Sequence, residues 1–160
     1  MGRPRGFDEQ QAVAAAAELF AGRSYDGTSV DDLVSRTGVH RGSLYKTFGS
    51  KRGLYLAALR HHVDQDVTRI AGSSDPARAL LASGGTELGF LLLAAAERAA
   101  VDDEVAAEVG RALDLLDAAL RPAGSDPDRA ADLTAALLGL LLRARAQPGR
   151  ATGATLLTPH

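Results

Sequence analysis

The sequence has no cysteine, which excludes disulfides, thiolate metal sites and thiol-based redox sensing within it. Aromatic residues are scarce at 4%, so alanine and leucine must supply most of any core. No run alternates apolar with polar residues as a half-buried strand would, and an all-α fold is expected. The longest apolar stretches, near residues 90–96 and 135–142, fall far short of the roughly 18–20 residues that cross a bilayer. The opening MGRPRGFDEQQ carries two arginines with no apolar segment behind them, so no signal peptide is expected and the location reads as cytoplasmic. Glycine-rich phosphate loops and nucleophile-elbow sequences are missing as well, which argues against an enzyme. No cofactor, no metal and no membrane partner are expected.

What is present is concentrated between Thr28 and Lys51. Val30, Leu33 and Val34 share one face of a short helix. Thr28 or Ser29 can cap it, and Asp31 and Asp32 favour its positive end. Gly38 falls where that helix must stop, because glycine adopts the left-handed conformation at little cost. Val39 anchors the turn, and a second helix runs from about Arg41 to Thr47, burying Leu44 and Phe48. Arg41, Ser43, Tyr45 and Lys46 are left outside, all able to donate hydrogen bonds. Helix, glycine turn and donor-rich helix make a helix-turn-helix, whose second helix enters a major groove.

In order and at matching spacing stand Leu19-Phe20, Tyr25, Thr28-Ser29, Gly38-Val39, Gly42 to Tyr45, Phe48 and Ser50-Lys51. On these residues the sequence resembles the tetracycline-repressor (TetR) family of bacterial transcriptional regulators, over roughly its first third. His40 departs from the serine that the family often places at the N-cap, and Val34 and Thr37 stand where small alanines are common. The resemblance implies a homodimer bound to double-stranded DNA and released by a small-molecule effector. It implies DNA contacts at Thr28, Ser29, Arg41, Gly42, Ser43, Tyr45, Lys46 and Lys51, while Arg3 and Arg5 form a basic arm that reads equally as a contact to a minor groove or phosphates or as a disordered, solubilising tail. The alternative is an effector-independent helical DNA-binding or protein-interaction module.

Charge is nearly balanced at −2, yet residues 1–52 carry eight basic against six acidic side chains. Both lysines, Lys46 and Lys51, lie there. Lys51 and Arg52 sit in the first turn of a long helix capped by Ser50 and running to about Ile70, where cations oppose the helix dipole. A DNA phosphate at that helix end would account for them. Residues 1–52 are thus read as a DNA-binding domain and residues 53–160 as a helical regulatory and dimerisation domain.

The body offers fewer chemical signals. His62 and Asp66, four apart, share a helix face, and the commonest meaning of such a pair is a solvated surface. An effector pocket, where present, is expected between them and Leu88, Phe90 and Leu91 of an apolar helix spanning Thr86 to about Ala100. A further helix is expected from about Asp103 to Leu120, with Leu113 and Leu116 on its apolar side. Another follows from Pro127 to Ala146, capped by Ser125 or Asp126, with Leu133, Leu137, Leu140 and Leu141 in one stripe. Gly139 permits close approach of another helix, so these two helices are assigned to a dimer interface.

Overall fold

The computed structural model describes residues 7–83, 87–121 and 126–147, and these residues are helical with no strand among them. The basic arm with Arg3 and Arg5, Thr86, Ser125 and the tail after Gln147 lie outside the described residues. Helix α1 spans Glu9–Gly22, α2 Val30–Thr37 and α3 Arg41–Phe48. Helix α4 runs Lys51–His62, widens into a π-helical turn at Val63–Val67 and closes as α5, Thr68–Ala71. After α6, Pro76–Ala82, comes α7, Gly89–Leu93, with a second π-helical turn at Ala94–Arg98. Two long helices follow, α8 at Asp103–Leu120 and α9 at Pro127–Ala146.

The boundaries follow from capping. Asp8, Ser29, Ser50, Asp75, Asp102 and Asp126 each accept a backbone N–H at the start of a helix. Ser29 and Asp32 complete a reciprocal capping box, worth about 1 kcal/mol to α2. Gly38 has φ +70°, the left-handed turn that ends α2. His40 supplies no side-chain cap to α3, in line with its departure from serine.

Alanines let α1 lie close to α4. Ala12, Ala16 and Phe20 of α1 are buried with Leu54, Ala58 and Leu59 of α4, while Leu33, Val39 and Leu44 fill the angle between α2 and α3. Phe20, Tyr55 and Phe90 then meet at one point, with ring centroids 4.8, 5.1 and 5.7 Å apart. Tyr25 joins them 5.0 Å from Tyr55. Four of the seven Phe and Tyr residues thus sit at the seam between the three N-terminal helices and the rest. Each fully buried ring contributes about 2 kcal/mol through area removed from water, and the edge-to-face pairs add to this. One hydrophobic core therefore runs from Ala12 through the seam to Leu141.

Two expectations about the body change here. Leu88, Phe90 and Leu91 are buried in that core at 0–2% exposure and cannot line an open pocket. Leu116, Leu137 and Leu141, assigned to a dimer interface, are equally buried between α8 and α9 of a single chain, because the two helices pack against each other first. Leu113, Leu133 and Leu140 are half-buried at the rim of that packing, and Gly139 faces outward. The surface of α9 left uncovered carries Ala131, Ala135, Gly139, Leu142 and Ala146, four or three apart along the helix. Leu142 is 52% exposed. No helix among the described residues is long and apolar enough to cross a membrane.

Candidate nucleic-acid interface

Helix α3 presents Arg41, Gly42, Ser43, Tyr45, Lys46 and Thr47 to solvent and buries only Leu44 fully. Leu44 holds it from below, and Phe48 holds its end against Phe7, with ring centroids 6.3 Å apart. The outer face is therefore rigidly mounted and rich in donors. Thr47, exposed in the same row, was not singled out from the sequence. A Thr beside a Phe reads there as an ordinary helix residue.

Nearby groups differ in how free they are. Arg41 donates to the Oδ1 of Asp31 at 2.6 Å across a solvent-exposed pair, which holds the two helices weakly. Ser29 is exposed, but its hydroxyl is shared with Asp32, donating to the carboxylate at 2.6 Å and accepting the Asp32 N–H at 3.0 Å. Those bonds hold the Asp32 carboxyl below its ordinary range, with Arg23 assisting. Thr28 does not face outward at all. It is completely buried, and its hydroxyl donates to the Ser24 carbonyl at 2.9 Å, closing the turn before α2. The expected Thr28 contact is corrected on that ground.

The start of α4 explains the cations that the helix dipole disfavours. Gly53 is required there, because a Cβ at that position would meet the Phe48 carbonyl oxygen at 1.9 Å. This close approach lets the first turn of α4 tuck under the end of α3. Arg52 does not wait for a phosphate. Its Nε and Nη2 each donate to Asp102 at 2.7 Å, and Nη2 also reaches Glu104 at 3.0 Å. Asp102 has a side chain only 3% exposed, and it also accepts the Val105 N–H that caps α8. Arg52 is the main cause of its carboxyl staying far below the usual range. Lys51 Nζ lies 4.2 Å from the centre of the Tyr25 ring, and the Arg98 guanidinium lies 4.5 Å from the same ring. Glu97 accepts the Tyr25 N–H at 3.4 Å. Glu97, Arg98 and Asp102 thus grip the base of the head, which sequence reasoning missed. An Asp before a helix is readable as a cap, but a partner fifty residues away is not.

On the other side of the same seam His62 and Asp66 do pair, but not as the solvated surface expected of them. His62 is buried, and its Nδ1 lies 2.8 Å from Asp66 Oδ2. Burial pushes the imidazole below its ordinary value, partly offset by Asp66. The two line a cleft of about 560 Å³ together with Ala14, Ala17, Ala21, Glu87 and Arg145, and not with Leu88, Phe90 or Leu91. No group of three or more metal-ligating side chains occurs among the described residues.

A short helix, a glycine turn and a donor-lined second helix on a packed three-helix base define a helix-turn-helix protein. Residues 12–58 match the family described as bacterial regulatory proteins, tetR family. Over these residues the chain is similar to that family. It is 42% identical over 64 residues to the uncharacterized HTH-type transcriptional regulator YezE of Bacillus subtilis (strain 168), covering 40% of this chain and 33% of that one. It is 39% identical over 70 residues to the HTH-type transcriptional repressor BdcR of Escherichia coli (strain K12), covering 44% and 36%. The match therefore spans about a third of the length of these relatives. Across the whole fold, the TetR-family regulator CifR, solved as a cysteine mutant with 26-base-pair operator DNA, is 29% identical. It covers 91% of both chains at a TM-score of 0.66. A TetR-family regulator from Cytophaga hutchinsonii, 23% identical and covering 89% and 85%, has the same fold at a TM-score of 0.70.

Proposed function

We propose that the protein is a cytoplasmic transcriptional repressor that binds an inverted-repeat operator as a homodimer and leaves it when a small-molecule effector binds. Residues 1–52 form the reading head and residues 53–160 the regulatory body. The observation that carries this reading is the outward row of Ser43, Tyr45, Lys46 and Thr47 on a firmly seated α3. Side chains of these kinds donate to base edges and phosphates, and a helix so mounted enters a major groove with little loss of freedom. Gly42 leaves room for close backbone approach, and Lys51 and Arg41 flank the row as phosphate contacts. The operator complex of CifR supports the same direction.

A single α3 of two turns reads only a few base pairs, so a two-fold pair is needed for a specific site. The uncovered α9 stripe of Ala135, Gly139 and Leu142, rimmed by Leu113, Leu133 and Leu140, is the self-complementary surface. A Cβ at Gly139 meets nothing within 4 Å, so Gly139→Glu leaves the single chain folded while placing a charge in the pair contact. The test is selection of duplexes from a random pool, followed by sedimentation with and without the selected duplex. An inverted repeat bound by two chains is expected, and Gly139→Glu should be monomeric with weakened binding. Enrichment of no duplex, or a Gly139→Glu protein that still binds as a pair, overturns the reading.

A further inference from the structure

The seam between head and body is filled on the side of Asp102 and left open on the side of His62. The open side is walled by Ala14, Ala17 and Ala21 of α1, which lie three and four apart on one helix face. Facing them are His62 and Asp66, at the point where α4 widens into its π-helical turn. Such turns are rare and gather at functional sites, since the extra residue per turn shifts side chains out of their regular row. Here the Val63 carbonyl accepts both the Thr68 backbone N–H and the Thr68 hydroxyl, the latter at 3.1 Å, so Thr68 reinforces the turn.

The polar lining of the cleft holds three carboxylates, Glu18, Asp66 and Glu87, beside His61, His62, Gln65 and Arg145. The Asp66 carboxylate can only accept, so the proton of the neutral His62 ring sits on Nδ1 and Nε2 is an acceptor. That Nε2 is buried and has no hydrogen-bond partner. Buried polar atoms are rarely left so, and one beside a cleft indicates an absent donor. Among the described lining residues the carboxylates of Glu18, Asp66 and Glu87 stand against the guanidinium of Arg145. Glu18 pairs with Arg36, and both Asp66 and Glu87 pair with Arg69, but neither arginine lines the cleft. Asp66 thus serves both His62 and Arg69, and a carboxylate has about four lone-pair sites, so each keeps accepting capacity beyond these partners.

We propose that this cleft binds a small amphipathic amine, its apolar part on the α1 alanines and its ammonium among His62 Nε2, Asp66 and the neighbouring carboxylates. An ammonium offers three donors and no acceptor, which is what an acceptor-rich wall selects. A carboxylate of the same length would meet Glu18, Asp66 and Glu87 as like charges. Resting on the repressor reading above, the cleft is then the effector site. Because one wall is α1 of the head and the other is the body, an occupant sets the angle between them.

The experiment titrates the full chain with n-hexylamine, hexan-1-ol and hexanoate at about pH 7.5, where the amine is protonated. The readout is the imidazole NMR signal of His62, assigned by its loss in His62→Gln. Hexylamine should move that signal saturably, at least tenfold more tightly than hexanol, with hexanoate not binding. Ala14→Leu, which fills the cleft, should weaken the amine at least tenfold. An unmoved His62 signal, equal binding of hexanol, preference for hexanoate, or an Ala14→Leu protein that binds the amine normally each overturns the proposal. A parallel duplex titration without amine separates this from the repressor reading. Duplex binding with a silent His62 sinks the effector site alone, and a moving His62 without duplex binding sinks the repressor.

Discussion

The two sides of the head–body seam share α4 and end in opposite states. On one side Arg52 and Arg98 converge on Asp102, whose carboxylate also caps α8, and Lys51 and Arg98 lie over Tyr25. On the other, α1 shows alanines to a π-helical turn and a cleft remains. Long, planar guanidiniums can span a gap and satisfy a carboxylate in two bonds, so a mismatch between helices is closed by charge. Alanine reaches nothing, so the same mismatch stays open. The closed side fixes where the head sits, and the open side is where that position can be changed.

Replacing Gly53 tests the closed side most severely. Gly53→Ala drives a Cβ into the Phe48 carbonyl and lifts the first turn of α4 away from α3. A loss of about 3 kcal/mol in urea denaturation is expected, as for an overpacked core site, with Arg52 pulled off Asp102. Next is Asp102→Ala. The lost α8 cap costs about 1 kcal/mol, and two guanidiniums lose their shared acceptor in addition. Equal urea midpoints for Asp102→Ala and the parent would show that the ion cluster does not hold the seam.

Proton titration separates the sides without mutation. His62 has its folded value lowered, so the unfolded chain takes up the proton first, and stability is full above about pH 6.5 and falls below it. Asp102 also has a lowered folded value, and its contribution persists above the ordinary carboxylate range near pH 4 and is lost as pH falls further. Thermal unfolding should therefore decline in two stages on acidification, the open side first. In His62→Gln the first stage should vanish and the second remain. A single stage below about pH 4 in the parent would mean that His62 is not held neutral by burial.

The smallest expected effects concern DNA. Lys51→Ala should weaken binding to all duplexes and reduce the salt slope by about one contact, while leaving the closed side intact through Arg52. Lys46→Ala should change which duplex is preferred. An unaltered salt slope in Lys51→Ala would mean that Lys51 serves only Tyr25.

Most of the helices were legible in the chain because their causes are local. Capping by Ser29, Ser50 and Asp126, the left-handed Gly38, and the spacing of Val30, Leu33 and Leu44 act within one or two turns, so the sequence carries them openly. The donor-rich face of α3 was legible for the same reason, since Leu44 alone decides which side is buried. The π-helical turns were not, because an extra residue in a helix leaves the apolar pattern nearly unchanged. Thr28 misled because a Thr next to a helix start serves equally well as an outward donor or an inward one, and only the Ser24 carbonyl decides.

What the sequence by itself determined is the identity of the reading helix, the caps and the amphipathic faces, each set by neighbours a few residues apart. Tertiary structure alone decided which apolar face met which. Leu137 and Leu141 went to α8 and not to a partner, because an intrachain neighbour joined by a short connection is always at hand. It also decided that Arg52 would meet Asp102, and that His62 would face alanines of α1 instead of Leu88 and Leu91. Those pairings depend on helix positions fixed by the packing of Phe20, Tyr55 and Phe90, which no local pattern of residues encodes.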